Sequence, residues 1–220
     1  LIRTAPIVLA VDSKAARAAL GASTVAGALT AAGYGRSANA VDLALVTVAD
    51  HGLNPSTFTT RVVAATGADL YACLLSGLAA LSGPRHGRAS DRVEVLLDEA
   101  ERDPERAVGE RLSRGETLPG FGHPLYEDGD PRANVLLTAA LELGGARADL
   151  CQQVIAAAGR RGAPPPNVDV GLVALSAAAG LPRGFASAIF AIGRMAGWVA
   201  HILEARASGR ILRPRARYRP

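Results

Sequence analysis

The chain has 220 residues, 49% of them hydrophobic and 20% charged, a balance that excludes a disordered polypeptide and allows a sizeable buried core. Only 4% are aromatic, while alanine, leucine and valine dominate, which points to packed helices and against a β-sandwich. The formal charge of +4 is carried almost wholly by arginine, since Lys14 is the single lysine; these arginines are spread along the chain without a recognition motif or base-stacking aromatics, so a nucleic-acid partner is not expected.

In chain order, Ala15 to Leu20 and Thr24 to Ala32 read as short helices, separated by Gly21 and closed by Gly33-Tyr34-Gly35. From Ala38 to Ala49 an apolar segment predicts a helix that ends at Asp50-His51-Gly52. Asn54-Pro55 has the form of an N-cap and a first helical residue. The pattern from Thr57 through Leu81 then predicts one long apolar helix, with Gly67 as the candidate break. Ser82-Gly83-Pro84 ends it and leaves His86 on a glycine-flanked loop. The Asp91-x-x-Glu94 pattern predicts a cap for an amphipathic helix with Val93, Leu96, Leu97 and Ala100 on one face. Arg102 to Thr117 is so charged that a solvated segment is expected.

Pro131 to Leu143 and Arg147 to Gly159 read as two helices joined at Gly144-Gly145. Asp169 is the expected N-cap of a helix from Val170 to Ala179, and a last helix is predicted from Arg183 to Ala207, followed by an arginine-rich tail. Within the last helix, Gly184 to Leu203 is apolar enough to imitate a membrane span, but an unpaired arginine at mid-bilayer is costly, so Arg194 makes it a buried helix and no membrane partner is expected. Cys73 and Cys151 lie in apolar helical stretches without metal-ligand spacing. They read as buried thiols of a reducing compartment, no metal site is expected, and with no charged leader and cleavage site at the N-terminus the cytoplasm is the default location.

The stretch from Gly120 to Ala133 carries the most chemistry. Gly120 and Gly122 permit positive φ, Pro119 and Pro124 stiffen the loop, and Asp130-Pro131 starts a helix with Arg132 in its first turn. An arginine there opposes the helix dipole, so an anion sharing the site would explain it. His51, His86 and His123 all fall on loops or helix ends beside glycine or proline; each could be a turn residue or a site residue, whereas His201, inside the last helix, reads as structural. Asp169 could cap its helix or serve as a base. Arg194, set among Ile189, Phe190, Ile192, Met195 and Trp198, needs an anionic partner, from the protein or from a ligand.

Gly-Phe-Gly-His at 120–123 followed by Asp-Pro-Arg at 130–132 resembles the signature of the citrate synthase family. Ala49 to Phe58 and Ser82 to Gly87 resemble the same family, in the same order and spacing, and the likeness covers about residues 38–217. It implies an all-α, citrate synthase-like fold with a large and a small domain closing over the site, here 1–86 with 177–220 and 87–176 respectively. Residue by residue, it implies Asp169 as the base on the acetyl-CoA methyl group, His86 as the donor to the thioester oxygen, and His123 as the group that polarises the ketone of oxaloacetate. His51, Arg132 and Arg194 would hold oxaloacetate, and Arg213, in Leu-Arg-Pro-Arg, would reach the site of the neighbouring subunit of a homodimer. Leu118, Pro119, Gly120, Phe121 and Gly122 would lie against the coenzyme A nucleotide, through bare backbone amides. Coenzyme A enters as a substrate thioester, with no permanently bound cofactor.

The same residues would also serve 2-methylcitrate synthesis from propionyl-CoA or citryl-CoA cleavage. Family members are usually longer, and the part without a counterpart is the N-terminal half of the large domain. A fragment, a shortened paralogue, or a subunit needing a separately encoded partner, catalytic or not, are therefore all open. Arg85 and Arg88 stand where the family commonly has leucine and glycine, and Gly52 where glutamate is frequent.

Overall fold

A computed structural model describes residues 12–83 and 86–215. Arg85 and the tail residues Arg217 and Arg219 lie outside them. Among the described residues there are eleven helices and no strand; the nearest approach to one is an isolated antiparallel bridge between Phe121 and Pro166. The all-α expectation holds.

Most helices start where a short polar side chain can take up an orphan amide. Asp12, Thr24 and Ser37 cap α1 (Ser13–Gly21), α2 (Val25–Ala31) and α3 (Ala38–Thr47). Asn54 caps α4 (Pro55–Ala64) and Asp69 caps α5 (Leu70–Leu81). The helix predicted over Thr57 to Leu81 is therefore two, broken at the candidate Gly67. Gly67 sits at φ 85, and Asp69 restarts the ladder by accepting from the amide of Ala72 at 2.9 Å.

Other expectations are corrected. Asp91 does not cap α6 (Ala89–Ala100); it lies in the first turn, and its carboxylate accepts from Ser187 at 2.6 Å. The charged stretch after Arg102 contains α7 (Pro104–Ser113), capped by Asp103, and it buries Ala107 and Val108 against the core. The first-turn proline and aspartate cap outweighed a composition that suggested solvated chain.

Asp130 caps α8 (Pro131–Leu143), and α9 (Ala146–Arg160) follows the Gly144-Gly145 corner. At α10 (Val168–Ala178) the cap is Asn167, two residues before Asp169, and it accepts the Asp169 amide at 3.0 Å. The last helix, α11 (Phe185–Ala207), begins after Gly184 at φ 77, two residues beyond the predicted Arg183.

Helix α10 is central. Eight of its residues are buried, and at Gly171 a Cβ would stand 2.9 Å from Leu136 and 3.2 Å from the Ala133 backbone, so α8 and α10 approach closely. One apolar cluster joins α2, α3, α6 to α10 and the first half of α11; a second gathers α4, α5 and the second half of α11 around the fully buried Trp198. Helix α11 is long and apolar enough to cross a membrane by length and composition, but here half of its most apolar stretch is buried within the chain. Against α3 it packs through Gly193, where a Cβ would meet the Leu45 carbonyl at 2.7 Å, and Gly197, whose amide donates to the Ala49 carbonyl at 3.2 Å.

Candidate active site

Six side chains far apart in sequence line one cavity of about 170 Å³: His51, His86, His123, Arg132, Asp169 and Arg194. Arg213 does not join them; it lies on the exposed segment after α11. His201 lies elsewhere too, with Nε2 3.1 Å from Asp50 and Nδ1 3.0 Å from Arg61, in a structural role.

Local structure fixes each histidine. His86 follows α5 on a turn in which Gly87 donates to the Leu81 carbonyl so closely that any Cβ would strike it. Its Nε2 accepts the Ser56 amide at 3.3 Å and stands 2.8 Å from the Ser56 hydroxyl. Since a backbone amide can only donate, the ring's proton belongs on Nδ1. In His123 both ring nitrogens face donors: Nδ1 accepts the Leu125 amide at 3.1 Å, while Nε2 stands 3.4 Å from Arg132 Nη2, and the shorter amide bond favours the proton on Nε2. His51 pairs through Nε2 with the Tyr126 hydroxyl at 2.9 Å, and its ring meets His123 edge-on with centroids 5.3 Å apart.

All three histidines are pushed below the ordinary imidazole pKa, first by burial and then by neighbouring guanidiniums: Arg132 at His51 and His123, Arg194 at His86. Near neutral pH they are uncharged rings, able to donate one hydrogen bond without adding charge.

The cations differ from each other. Arg132 is held by a carboxylate of the protein, with Nε 2.9 Å from Asp130 Oδ1 and Nη2 2.8 Å from Oδ2. Asp130, 1% exposed, also accepts the amides of Arg132 and Val168. Burial raises its pKa, but the paired Arg132 and those amides outweigh burial and the carboxyl ends below its ordinary value. The anion that the sequence demanded beside Arg132 is thus at least partly Asp130. Arg194 is only 1% exposed, donates from Nε to the Val48 carbonyl at 2.7 Å, and lies 4.7 Å above the Phe190 ring. Among the described residues no carboxylate pairs with it, and burial with the nearby Arg132 lowers its pKa to about 10.

Asp169 is free of capping duty, and its pKa is raised by burial against the opposing influence of Ser90, Arg132 and Arg92. A raised carboxylate and neutral histidines, facing guanidiniums, make a site that can hold a small dianion and move one proton.

On the other side of the α10 N-terminus lies a second, open cavity of about 720 Å³. Leu118, Pro119, Gly120, Phe121 and Gly122 line it together with Arg92, Arg111 and Glu116, and Arg111 is already paired with Glu99 and Glu116. Not all of that loop's amides are bare: Gly122 donates to the Pro165 carbonyl at 2.8 Å and Phe121 to Leu118 at 3.2 Å. Gly120, at φ 81, presses against α10 and α6, where a Cβ would stand 2.5 Å from Val170 and 2.6 Å from Val93.

Sequence reasoning passed over Ser56, Ser90, Tyr126 and the pairing role of Asp130. Only Asp130 had a local signal, as a cap two residues before the arginine it binds. Among the described residues no group of three or more His, Cys, Asp or Glu side chains is placed to hold a metal ion.

An all-helical framework thus gathers three histidines, two arginines and a carboxylate at one small cavity, with a larger cavity lined by the Leu118 to Gly122 loop. Residues 18–215 match the model of the citrate synthase C-terminal domain, and the chain belongs to the citrate synthase family. It is 40% identical over 189 residues to citrate synthase of Haloferax volcanii, covering 82% of this chain and 50% of that one. Among solved structures it resembles citrate synthase of Thermoplasma acidophilum in ternary complex with carboxymethyl coenzyme A and oxaloacetate, with TM-score 0.76 and 30% identity over 90% of this chain and 57% of that one. Citryl-CoA lyase of Hydrogenobacter thermophilus is similar too, with TM-score 0.72 and 30% identity over 82% of this chain and 73% of that one. The chain spans about half the length of the curated relatives it matches.

Proposed function

We propose that this chain carries the catalytic centre of a transferase-type acyl-CoA condensing enzyme that joins acetyl-CoA to oxaloacetate. The observation that carries the reading is the meeting of three uncharged histidines, one raised carboxylate and two arginines in a cavity that adjoins a carrier-sized one.

In this reading Arg132, Arg194 and His51 hold the two carboxylates of oxaloacetate; planar guanidiniums suit carboxylates, and among the described residues no carboxylate competes for Arg194. The acyl carrier lies along Leu118 to Gly122, with Arg92 near its phosphates. Asp169 takes a proton from the methyl carbon, while the Nδ1–H of His86 donates to the thioester oxygen that gains charge. The enol carbon attacks the ketone, and the new alkoxide receives the proton of His123 Nε2. Water then hydrolyses the citryl thioester and frees the coenzyme A thiol. Closing over oxaloacetate would exclude water until the carbon–carbon bond has formed.

Homodimerisation, with Arg213 reaching the neighbouring site, and a cytoplasmic location belong to the same proposal. So does an N-terminal region, supplied by the rest of the chain or by a separate subunit. The test is thiol release from acetyl-CoA on adding oxaloacetate, with an Asp169→Ala control. Release that needs both oxaloacetate and Asp169 supports the reading. Oxaloacetate binding by calorimetry without any thiol release would instead indicate a binding subunit.

A further inference from the structure

Asp169 sits at the second position of α10, where Asn167 already satisfies its amide. The helix makes no use of its carboxylate, and the cavity side of that carboxylate is open. A carboxylate turns easily about its last torsion, which has broad wells, so something must fix which oxygen meets a substrate carbon.

Ser90 does this. It lies in the first turn of α6 and is 2% exposed. A serine deep inside a helix usually turns its hydroxyl back to a carbonyl three or four residues earlier, but in the first turn those carbonyls lie outside the helix. The Ser90 hydroxyl instead crosses to α10 and donates to Asp169 Oδ1 at 2.7 Å. Among the described residues Oδ2 accepts no hydrogen bond. One oxygen is held and the other is free.

We infer that Ser90 is a positioning residue for the condensation, pinning Asp169 Oδ1 so that Oδ2 is the atom presented to the carbon acid. This rests on the reading of Asp169 as the base. The bond also ties α6, which follows the His86 loop, to the helix that carries Asp169, so the donor to the thioester oxygen and the base are set relative to each other. A second consequence concerns charge: the hydroxyl favours the ionised carboxylate, which burial disfavours. The other charged or titratable groups facing Asp169 are Arg92 on α6, Arg132 and Asp130 at the start of α8, His123 on the central loop, and His86 and Arg194 across the cavity. All of them remain in a Ser90 variant.

The test is a carboxyl-carbon NMR titration of protein labelled at aspartate, with Asp169→Asn to identify the resonance, comparing the parent with Ser90→Ala and Ser90→Thr. Ser90→Ala is expected to raise the Asp169 midpoint by about one pH unit, the scale of one hydrogen bond to a charged group, and Ser90→Thr to return it. Where condensation is measurable, the acid limb of kcat moves up by the same amount in Ser90→Ala, and the plateau falls roughly tenfold from lost orientation. An unchanged midpoint in Ser90→Ala, or an equal rise in Ser90→Thr, overturns the inference. Because the titration needs no turnover, absence of condensation would count against the proposed function and leave the Ser90 result standing.

Discussion

Replacing Arg194 by methionine separates binding from folding, because this guanidinium is buried with no carboxylate paired to it among the described residues. Holding its pKa at about 10, well below the ordinary guanidinium value, corresponds to a penalty on the charged form of about 3 kcal/mol. The sign matters: a cation whose folded pKa is depressed carries that penalty in full at every pH below the folded value, so it operates throughout the neutral range. Arg194→Met removes the penalty. It also strips the Val48 carbonyl of its donor, at a cost of about 1–3 kcal/mol, and removes the contact with the Phe190 ring, worth about 0.5–2 kcal/mol. The opposing contributions nearly cancel, and the ligand-free variant should unfold within about 4 °C of the parent.

With oxaloacetate at a hundred times its dissociation constant, the parent should gain about 2.7 kcal/mol, a rise of roughly 5–10 °C in Tm for a chain of this size, and the variant should gain almost nothing. Circular dichroism melts with and without ligand provide the assay. A loss of more than about 3 kcal/mol in the ligand-free variant would mean that Arg194 is paired within the protein, and a preserved ligand shift would mean that it does not touch the substrate. Either result refutes the reasoning.

Gly120→Ala places a side chain at φ 81 and a Cβ 2.5 Å from Val170 and 2.6 Å from Val93; strain and overpacking together predict a loss of about 2–5 kcal/mol, measured by urea unfolding. His51, His86 and His123 have pKa values depressed by folding, so the stability they contribute is present above about pH 6.5 and is lost as pH falls through their folded values. Asp169, raised by folding, works in the opposite sense and disfavours the folded state once it ionises. Changing the three histidines to glutamine removes their acid penalty and should therefore raise the urea midpoint near about pH 5.5 relative to that near about pH 7.5. Cys73 and Cys151 are fully buried, and the Cys151 thiol is pushed up to about 12 by burial; a thiol reagent should react with neither in the native protein and with both after denaturation.

The caps were the legible part of the fold. Asn54-Pro55 and Asp130-Pro131 each combine a side-chain acceptor with a residue that has no amide to satisfy, so the starts of α4 and α8 follow from local chemistry alone. The break before α5 was harder to read because Thr57 to Leu81 is apolar on nearly every face, and periodicity then carries little signal. At α10, Asn167 and Asp169 are both good caps two residues apart. The choice between them is made by hydrogen bonds, and it decides whether Asp169 is structural or free.

The site residues could be nominated from motifs, but their partners could not. Ser56 behind His86 and Ser90 beside Asp169 are set by how α4 meets the loop after α5 and α6 meets α10, whereas Asp130 under Arg132 is local, the cap two residues before it. Tyr126 had no pattern of its own, although it brings its hydroxyl to His51 and its ring within 5.5 Å of the Arg132 guanidinium carbon. The placing of Arg194 against the Val48 carbonyl depends on the close packing of α11 on α3 at Gly193 and Gly197, a packing detail that apolar composition around an arginine does not specify.

The most direct test of the central claim follows the carbon itself: acetyl-CoA labelled with carbon-13 at the methyl position, incubated with oxaloacetate and the protein, and read by NMR. The account predicts that the label moves from an acetyl methyl to a citrate methylene, and that Asp169→Ala abolishes the transfer. Label that remains in acetyl-CoA, or appears as free acetate, would contradict it.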